Sequence, residues 1–141
     1  MSETPPDETL AEIYRNTRTI AVVGASTNPD KPAHGIPAYL QAQGFRIIPV
    51  NPTADEIFGE PTVRSLADIA EPVDVVNVFR PSAEAPDIAA QAAAIGASTL
   101  WLQLGIESEE AATIAMEQGL NVVMDTCMGA THRRLAKAGL L

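Results

Sequence analysis

Thr19-Ile20-Ala21-Val22-Val23-Gly24 sets five strand-forming residues, none of them charged, directly before a glycine. A strand with one wet face alternates apolar and polar side chains. This one does not, so both of its faces are covered, and the glycine ends it in a tight turn. Residues 45–50, Phe45-Arg46-Ile47-Ile48-Pro49-Val50, are the second expected strand. Pro49 falls near the strand end, where a missing N–H is tolerable, and Asn51-Pro52 turns the chain. A short third strand is expected near residues 62–63, then a small helix begun by Ser65. A fourth strand over residues 73–79 is closed by Arg80-Pro81.

Helical signals fill the gaps. Residues 9–16, with Leu10, Ile13 and Tyr14 on one side, read as a short helix. Residues 36–43 read as another, with Pro37 in its first turn and Gly44 as its stop. Ser82 is the expected cap of a helix over residues 83–95 that Gly96 ends, and a strand over residues 98–104 comes next. Ser108 caps the next helix, whose first turn carries Glu109 and Glu110 as the helix dipole favours. Gly119 stops it before a last strand at residues 121–124. A terminal helix over residues 131–138 turns Arg133, Arg134 and Lys137 to solvent. Strands alternating with helices at this spacing give an α/β fold of the Rossmann type. Its sheet is doubly wound and mainly parallel, with helices on both faces. Residues 1–8 read as a flexible leader and residues 9–141 as one domain.

Composition narrows the function. Of 141 residues, 46% are apolar, enough for a real core, and abundant alanine suits helices packed closely on the sheet. Eighteen acidic against nine basic side chains give a net charge of −9, which argues against a nucleic-acid partner that must displace counterions. A phosphorylated small ligand stays compatible, because one or two cations and backbone N–H groups can hold it. The single cysteine, Cys127, forms no intramolecular disulfide and fits a reducing compartment. Residues 1–8 lack the basic and apolar regions of a secretory signal, and no apolar run approaches the roughly 20 residues that span a bilayer. A cytoplasmic protein without membrane contact is the expectation.

In an open parallel sheet ligands bind at the carboxyl ends of the strands, where strand order reverses. Those ends are Gly24-Ala25-Ser26, Val50-Asn51-Pro52, Phe79-Arg80-Pro81, Leu104-Gly105-Ile106 and Asp125-Thr126-Cys127. The dinucleotide fingerprint is broken there. After Gly24 its second and third glycine positions hold Ser26 and Pro29, and the second strand ends in Asn51-Pro52 rather than an acid. No phosphate-binding loop of the Gly-x-x-x-x-Gly-Lys kind is present. Gly24 instead opens a longer loop, in which Ser26 and Asn28 offer short hydrogen bonds and Lys31 a charge. A helix beginning near Gly35 adds free N–H groups. From spacing alone this loop serves a ligand or simply makes a solvated turn.

Five motifs in order carry a resemblance: Val23-Gly24-Ala25-Ser26-x-Asn28-Pro29-x-Lys31, Ile48-Pro49-Val50-Asn51-Pro52, Val76-x-Val78-Phe79-Arg80-Pro81, Leu100-Trp101-Leu102-Gln103-x-Gly105-Ile106 and Met124-Asp125-x-Cys127-Met128. Together they span residues 19–132 and resemble the stand-alone CoA-binding protein family (the YccU-like group). That group is related to the CoA-binding domain of the succinyl-CoA synthetase α subunit. The resemblance implies coenzyme A or an acyl-CoA as ligand. Gly24, Ala25, Ser26 and Lys31 would face its pyrophosphate and adenine side, with Val50, Asn51 and Pro52 beside the adenosine. Phe79 and Arg80 would continue the groove, Arg80 as a bidentate phosphate donor. Gln103, Gly105 and Ile106 would lie toward the pantetheine arm. His34-Gly35 and Pro37 depart from the family pattern.

Other chemistry-bearing residues have blander readings. His34 reads as a loop histidine and His132 as a surface one. Cys127 could meet a CoA thiol or be inert packing. Asp125 could be a base, yet no nucleophile–base–orienter set is visible. Trp101 should be core, on the strand face opposite Leu100, Leu102 and Leu104. No His/Cys cluster has metal-ligand spacing. Three functions stay open: a non-catalytic CoA-binding module, a CoA-dependent enzyme or synthetase-associated subunit using Cys127, Asp125 or His34, and a domain for another adenine nucleotide such as NAD. A protein partner is possible.

Overall fold

The computed structural model describes residues 4–141. In chain order the elements are helix α1 (Asp7–Arg15), strand β1 (Thr19–Val23), α2 (Pro32–Ala42), β2 (Arg46–Val50), β3 (Glu56–Ile57), β4 (Glu60–Pro61), β5 (Val75–Val78), α3 (Ala85–Ala94), β6 (Thr99–Leu102), α4 (Glu109–Glu117), β7 (Asn121–Val123) and α5 (Met128–Lys137). Single 3-10 turns sit at Leu66–Asp68 and Ser82–Glu84. Five strands form one parallel sheet in the order β2-β1-β5-β6-β7, and β3 and β4 pair as a separate antiparallel ribbon. The chain builds outward from β1 to β2, then crosses back to place β5 on the other side of β1. Strand order therefore reverses between β1 and β5, which opens a crevice at their carboxyl ends.

Alternation along the strands makes two cores. Ala21, Val76, Val78, Leu100 and Leu102 point to one face, Ile20, Val22, Val75 and Trp101 to the other. On the first face α3 and α4 meet the sheet mainly through alanines: Ala85, Ala89 and Ala92 on one helix, Ala111, Ala112 and Ala115 on the other, all fully buried. Small side chains let two helices and a sheet approach closely. On the second face α1, α2 and α5 bring Leu10, Tyr14, Leu40, Met128 and Leu135 around Trp101. The indole N–H of Trp101 donates to the Thr126 carbonyl at 2.9 Å, so its burial leaves no orphan donor.

Several boundaries differ from expectation. Helix α1 begins at Asp7, inside the expected leader, because Asp7 pairs with Arg134 of α5 and sits with Glu8 in a first turn that favours negative charge. The leader's first three residues lie outside the described residues. Helix α2 begins at Pro32, not residue 36, with Lys31 as its N-cap. Pro37 is thus inside the helix rather than in its first turn. It cannot donate to the Ala33 carbonyl, and that carbonyl instead accepts from the Ser26 N–H at 3.1 Å. At residues 62–63, the place of the expected third strand, only Val63 pairs, in a lone parallel bridge to Val50, and the β3–β4 ribbon lies just before it. Strands β2, β5, β6 and β7 are shorter than expected by one to three residues. Ser82 is not a cap; a 3-10 turn precedes α3, and the Ser82 hydroxyl accepts from the Glu107 N–H. Ser108 is a cap, accepting from the Ala111 N–H at 3.0 Å.

Helix α5 starts three residues early, capped by the Cys127 thiol, which accepts from the Ala130 N–H at 3.4 Å. His132, expected on the surface, is half-buried. Its ring lies 5.3 Å from Tyr14, 5.6 Å from Tyr39 and 5.6 Å from Phe45, and its Nδ1 shares a 2.9 Å hydrogen bond with the Tyr39 hydroxyl. The Arg133 guanidinium stands over the Tyr39 ring. Burial holds the His132 imidazole below its ordinary value.

This packing makes two outcomes testable. Ala89→Leu, which overfills the α3–α4 seam, is expected to cost about 1–3 kcal/mol in urea unfolding, whereas Ala90→Leu on the exposed face of α3 should change stability little. The unfolded chain protonates at His132 before the folded one does. Stability from this site is therefore full above about pH 6.5 and declines as pH falls below it. Thermal melts from pH 7.5 to 5 should show that decline, with a shallower slope in His132→Phe; equal slopes would remove the assignment.

Candidate functional site

The crevice between β1 and β5 is a cleft of about 710 Å³, inside the range of about 300–1,000 Å³ usual for small-ligand sites. Its floor is Val23, Gly24 and Ala25 after β1, with Val50, Asn51 and Pro52 after β2. One wall is Arg64, Ser65 and Leu66. The opposite wall is Arg80 and a face of the next helical segment: Ala83, Glu84, Asp87, Ile88 and Gln91. A smaller hollow of about 250 Å³ lies at the amino ends of the strands. The Asp74 carboxylate there already accepts from the Arg18 and Thr19 N–H groups, so its clearest anion is taken up by the backbone.

Gly24 sets the depth of the cleft. Its φ is +88°, and a Cβ at this position would lie 2.9 Å from both the Phe79 carbonyl oxygen and Arg80 Cδ. No other residue fits the turn without displacing the end of β5. The Gly24 N–H donates to the Val50 carbonyl at 3.2 Å and the Phe79 N–H to the Val23 carbonyl at 2.9 Å, so both neighbouring ladders continue to the lip of the cleft.

Asn51 ties the floor together. Its amide nitrogen donates to the Ala25 carbonyl at 2.9 Å, and its oxygen accepts from the Thr53 and Ala54 N–H groups at 2.8 Å each. Arg64 braces the same turn, donating to the Asn51 carbonyl at 3.1 Å and pairing with Asp55 at 3.0 Å. Across the cleft Arg80 makes a two-point contact with Glu84, Nε to Oε1 at 3.1 Å and Nη2 to Oε2 at 2.7 Å. These bonds raise the guanidinium above its ordinary value and hold the Glu84 carboxyl below the usual carboxylate range.

The sequence-derived site residues divide. Gly24, Ala25, Val50, Asn51, Pro52 and Arg80 meet at the cleft. Ser26 and Asn28 fold onto their own loop, where the Ser26 hydroxyl accepts from the Asn28 N–H and the Asn28 side chain from the Asp30 N–H. Lys31 is exposed at the start of α2, outside the cleft lining. Phe79 turns its ring to the opposite core. Gly105 donates its N–H to Asp125 Oδ1 at 2.7 Å, and Ile106 packs on the α3–α4 core; both lie at the end of β6, beside the cleft rather than in it. Gln103 is buried, its side-chain oxygen accepting from the Met128 N–H at 3.3 Å and from Asn77 at 3.4 Å.

Arg64, Ser65, Glu84, Asp87 and Gln91 line the cleft without having been singled out from the sequence. The signals were there. Arg64 sits directly after the expected short third strand, and residues 84, 87, 88 and 91 recur at helical spacing after Arg80-Pro81. The groups of possible chemistry are dispersed. His34 packs on Phe58 at 5.0 Å between ring centroids, His132 is in the aromatic cluster, Cys127 caps α5, and Asp125 holds Gly105 from a left-handed backbone position. Among the described residues no group of three or more His, Cys, Asp or Glu is placed to hold a metal ion, and no helix is long and apolar enough to cross a membrane.

The chain is similar to known proteins. YneT of Bacillus subtilis is 40% identical over 130 residues, 92% of this chain and 96% of that protein. A solved structure from Thermus thermophilus superposes with a TM-score of 0.88 at 41% identity, covering 93% of this chain and 99% of its own. The ADP-forming acetate–CoA ligase II of Archaeoglobus fulgidus is 36% identical over 81 residues, which are 56% of this chain and 12% of the ligase. The sequence pattern of the CoA binding domain family matches residues 18–133, from the approach to β1 into α5, and the chain belongs to that family.

Proposed function

We propose that the chain binds coenzyme A or an acyl-CoA in the cleft between β1 and β5, as a binding module without turnover of its own. The observation that carries this reading is the cleft itself. It lies where strand order reverses, its floor is cut down to backbone at Gly24, and guanidinium groups stand on both walls, Arg64 on one and Arg80 on the other. A flat adenine fits over Gly24-Ala25 and beside Val50 and Pro52, and the phosphates fall between the two arginines. The pantetheine arm leaves along the carboxyl end of β6, past Gly105 and Ile106.

Binding without turnover is argued from the groups the walls carry. The one hydroxyl among the cleft's polar side chains, Ser65, is bonded to Asp68 at 3.2 Å, and both imidazoles and the thiol are placed elsewhere. Acyl transfer needs a nucleophile and base within hydrogen-bond reach of one another. Membership of the family and the likeness to part of a CoA ligase support the ligand class. The ligase activity belongs to a protein of which this chain matches about an eighth.

Calorimetry of the reduced protein should give saturable one-to-one binding of CoA, with NAD and ATP weaker; preference for NAD or ATP would overturn the ligand assignment. Arg64→Ala should weaken CoA by about tenfold, and Gly24→Val should abolish binding. Unchanged affinity in both variants would place the ligand elsewhere. Incubation with acetyl-CoA should release no free thiol above the protein-free rate; release that is lost in Cys127→Ser would make the protein an enzyme.

A further inference from the structure

Arg80 reaches the cleft in an unusual state. Its aliphatic stem lies against Gly24, fixed by the tight approach of the two turns, but its charged head faces a carboxylate of its own chain, Glu84, four residues on. Arg80 and Glu84 are each about half exposed (48% and 46%), so neither is held by the core. Glu84 is also the residue immediately before α3, where the helix dipole favours negative charge. Chain geometry has placed an anion against both features that would receive a ligand phosphate on this wall. Arg64 differs, because backbone carbonyls hold its head as well as Asp55.

We propose that Glu84 is a displaceable internal anion. It parks Arg80 while the cleft is empty and gives way to a phosphate group of the ligand, so that a phosphorylated adenosine compound engages Arg80 only against an internal competitor that lowers its affinity. The inference rests on the CoA-binding reading and adds to it a residue that tempers how tightly phosphorylated ligands are held. An exposed pair of this kind shifts an equilibrium by only about fivefold or less. A phosphate ester with up to two charges and three acceptor oxygens therefore outcompetes it, and the freed carboxylate swings into open solvent. A ligand without phosphate has nothing to offer Arg80 and leaves the pair closed. Asp87, one turn further along α3 and bonded to Gln91 at 2.9 Å, keeps the wall acidic after Glu84 has moved.

The test is calorimetry of the wild type, Glu84→Gln, Arg80→Ala and the double variant, each with CoA, adenosine 3′,5′-bisphosphate and adenosine. Glu84→Gln is expected to tighten CoA and the bisphosphate by about two- to fivefold and leave adenosine unchanged. Arg80→Ala is expected to weaken the two phosphorylated ligands by about tenfold and to remove most of the gain in the double variant. Equal or weaker CoA binding by Glu84→Gln, with wild type binding CoA, would overturn this inference and leave the proposed function standing. An equal gain for adenosine would overturn it as well, since only a general loosening acts on all three. Failure of the wild type to bind CoA or the bisphosphate would remove both.

Discussion

The close approach of the β1 turn to the end of β5 organises the carboxyl side of this sheet. A methyl group at Gly24 would collide with the Phe79 carbonyl and the stem of Arg80 at the same time. Because it is absent, β1 and β5 stay in register to their last residues, and the Phe79 N–H still finds the Val23 carbonyl. The same approach presses the Arg80 stem into a fixed place and leaves only its head free to choose a partner. Depth of the cleft, position of a cation and continuity of the ladder all depend on one missing Cβ.

Most polar side chains near the cleft are already committed to the scaffold. Asn51 has all its clear partners in the backbone of two neighbouring turns, Ser26 and Asn28 satisfy their own loop, and the Gln103 oxygen braces the start of α5. Such groups hold a shape, and their value to a ligand is indirect. Removing a buried or half-buried hydrogen-bonding partner costs the fold before it costs recognition. The side chains left with a flexible end in the cleft are a short set, Arg80, Glu84, Asp87 and Gln91. Three of those four, Arg80, Glu84 and Asp87, are charges whose side-chain bonds go to other flexible side chains.

The layered α/β fold was legible because its signals are local and redundant. Uncharged strands running into glycine, Ser108 at a helix start and Gly96 and Gly119 at helix ends each specify one thing. The lower-contrast features were missed for physical reasons. Pro32 and Pro37 are five residues apart, and sequence alone does not say which of them opens the helix; the answer depends on Ser26 reaching the Ala33 carbonyl. Cys127 as a helix cap depends on a weak sulfur acceptor that no propensity rule anticipates. His132 looked exposed because Arg133 and Arg134 follow it, yet the rotation of about 100° per helical residue turns it from their wet side to the aromatic cluster. At the cleft, motif residues were found where the backbone itself forms the floor. The walls escaped notice because Arg64 and the α3 face reach the site through tertiary placement.

The division of the two sheet faces bears on what the protein can do. On the α3–α4 face alanines seal the core and leave the first turns of α3 as the polar edge of the crevice on that side. On the other face bulky aromatic side chains draw in His132 and Tyr14, and the Tyr14 hydroxyl, pushed above its ordinary value by burial, donates to the Met128 carbonyl at 2.6 Å and steadies α5. His132 and Tyr14 therefore serve packing on that face, while the cleft opens at the carboxyl ends of the strands. The cleft carries charged side chains, Arg64, Arg80, Glu84 and Asp87, at the carboxyl ends of the strands.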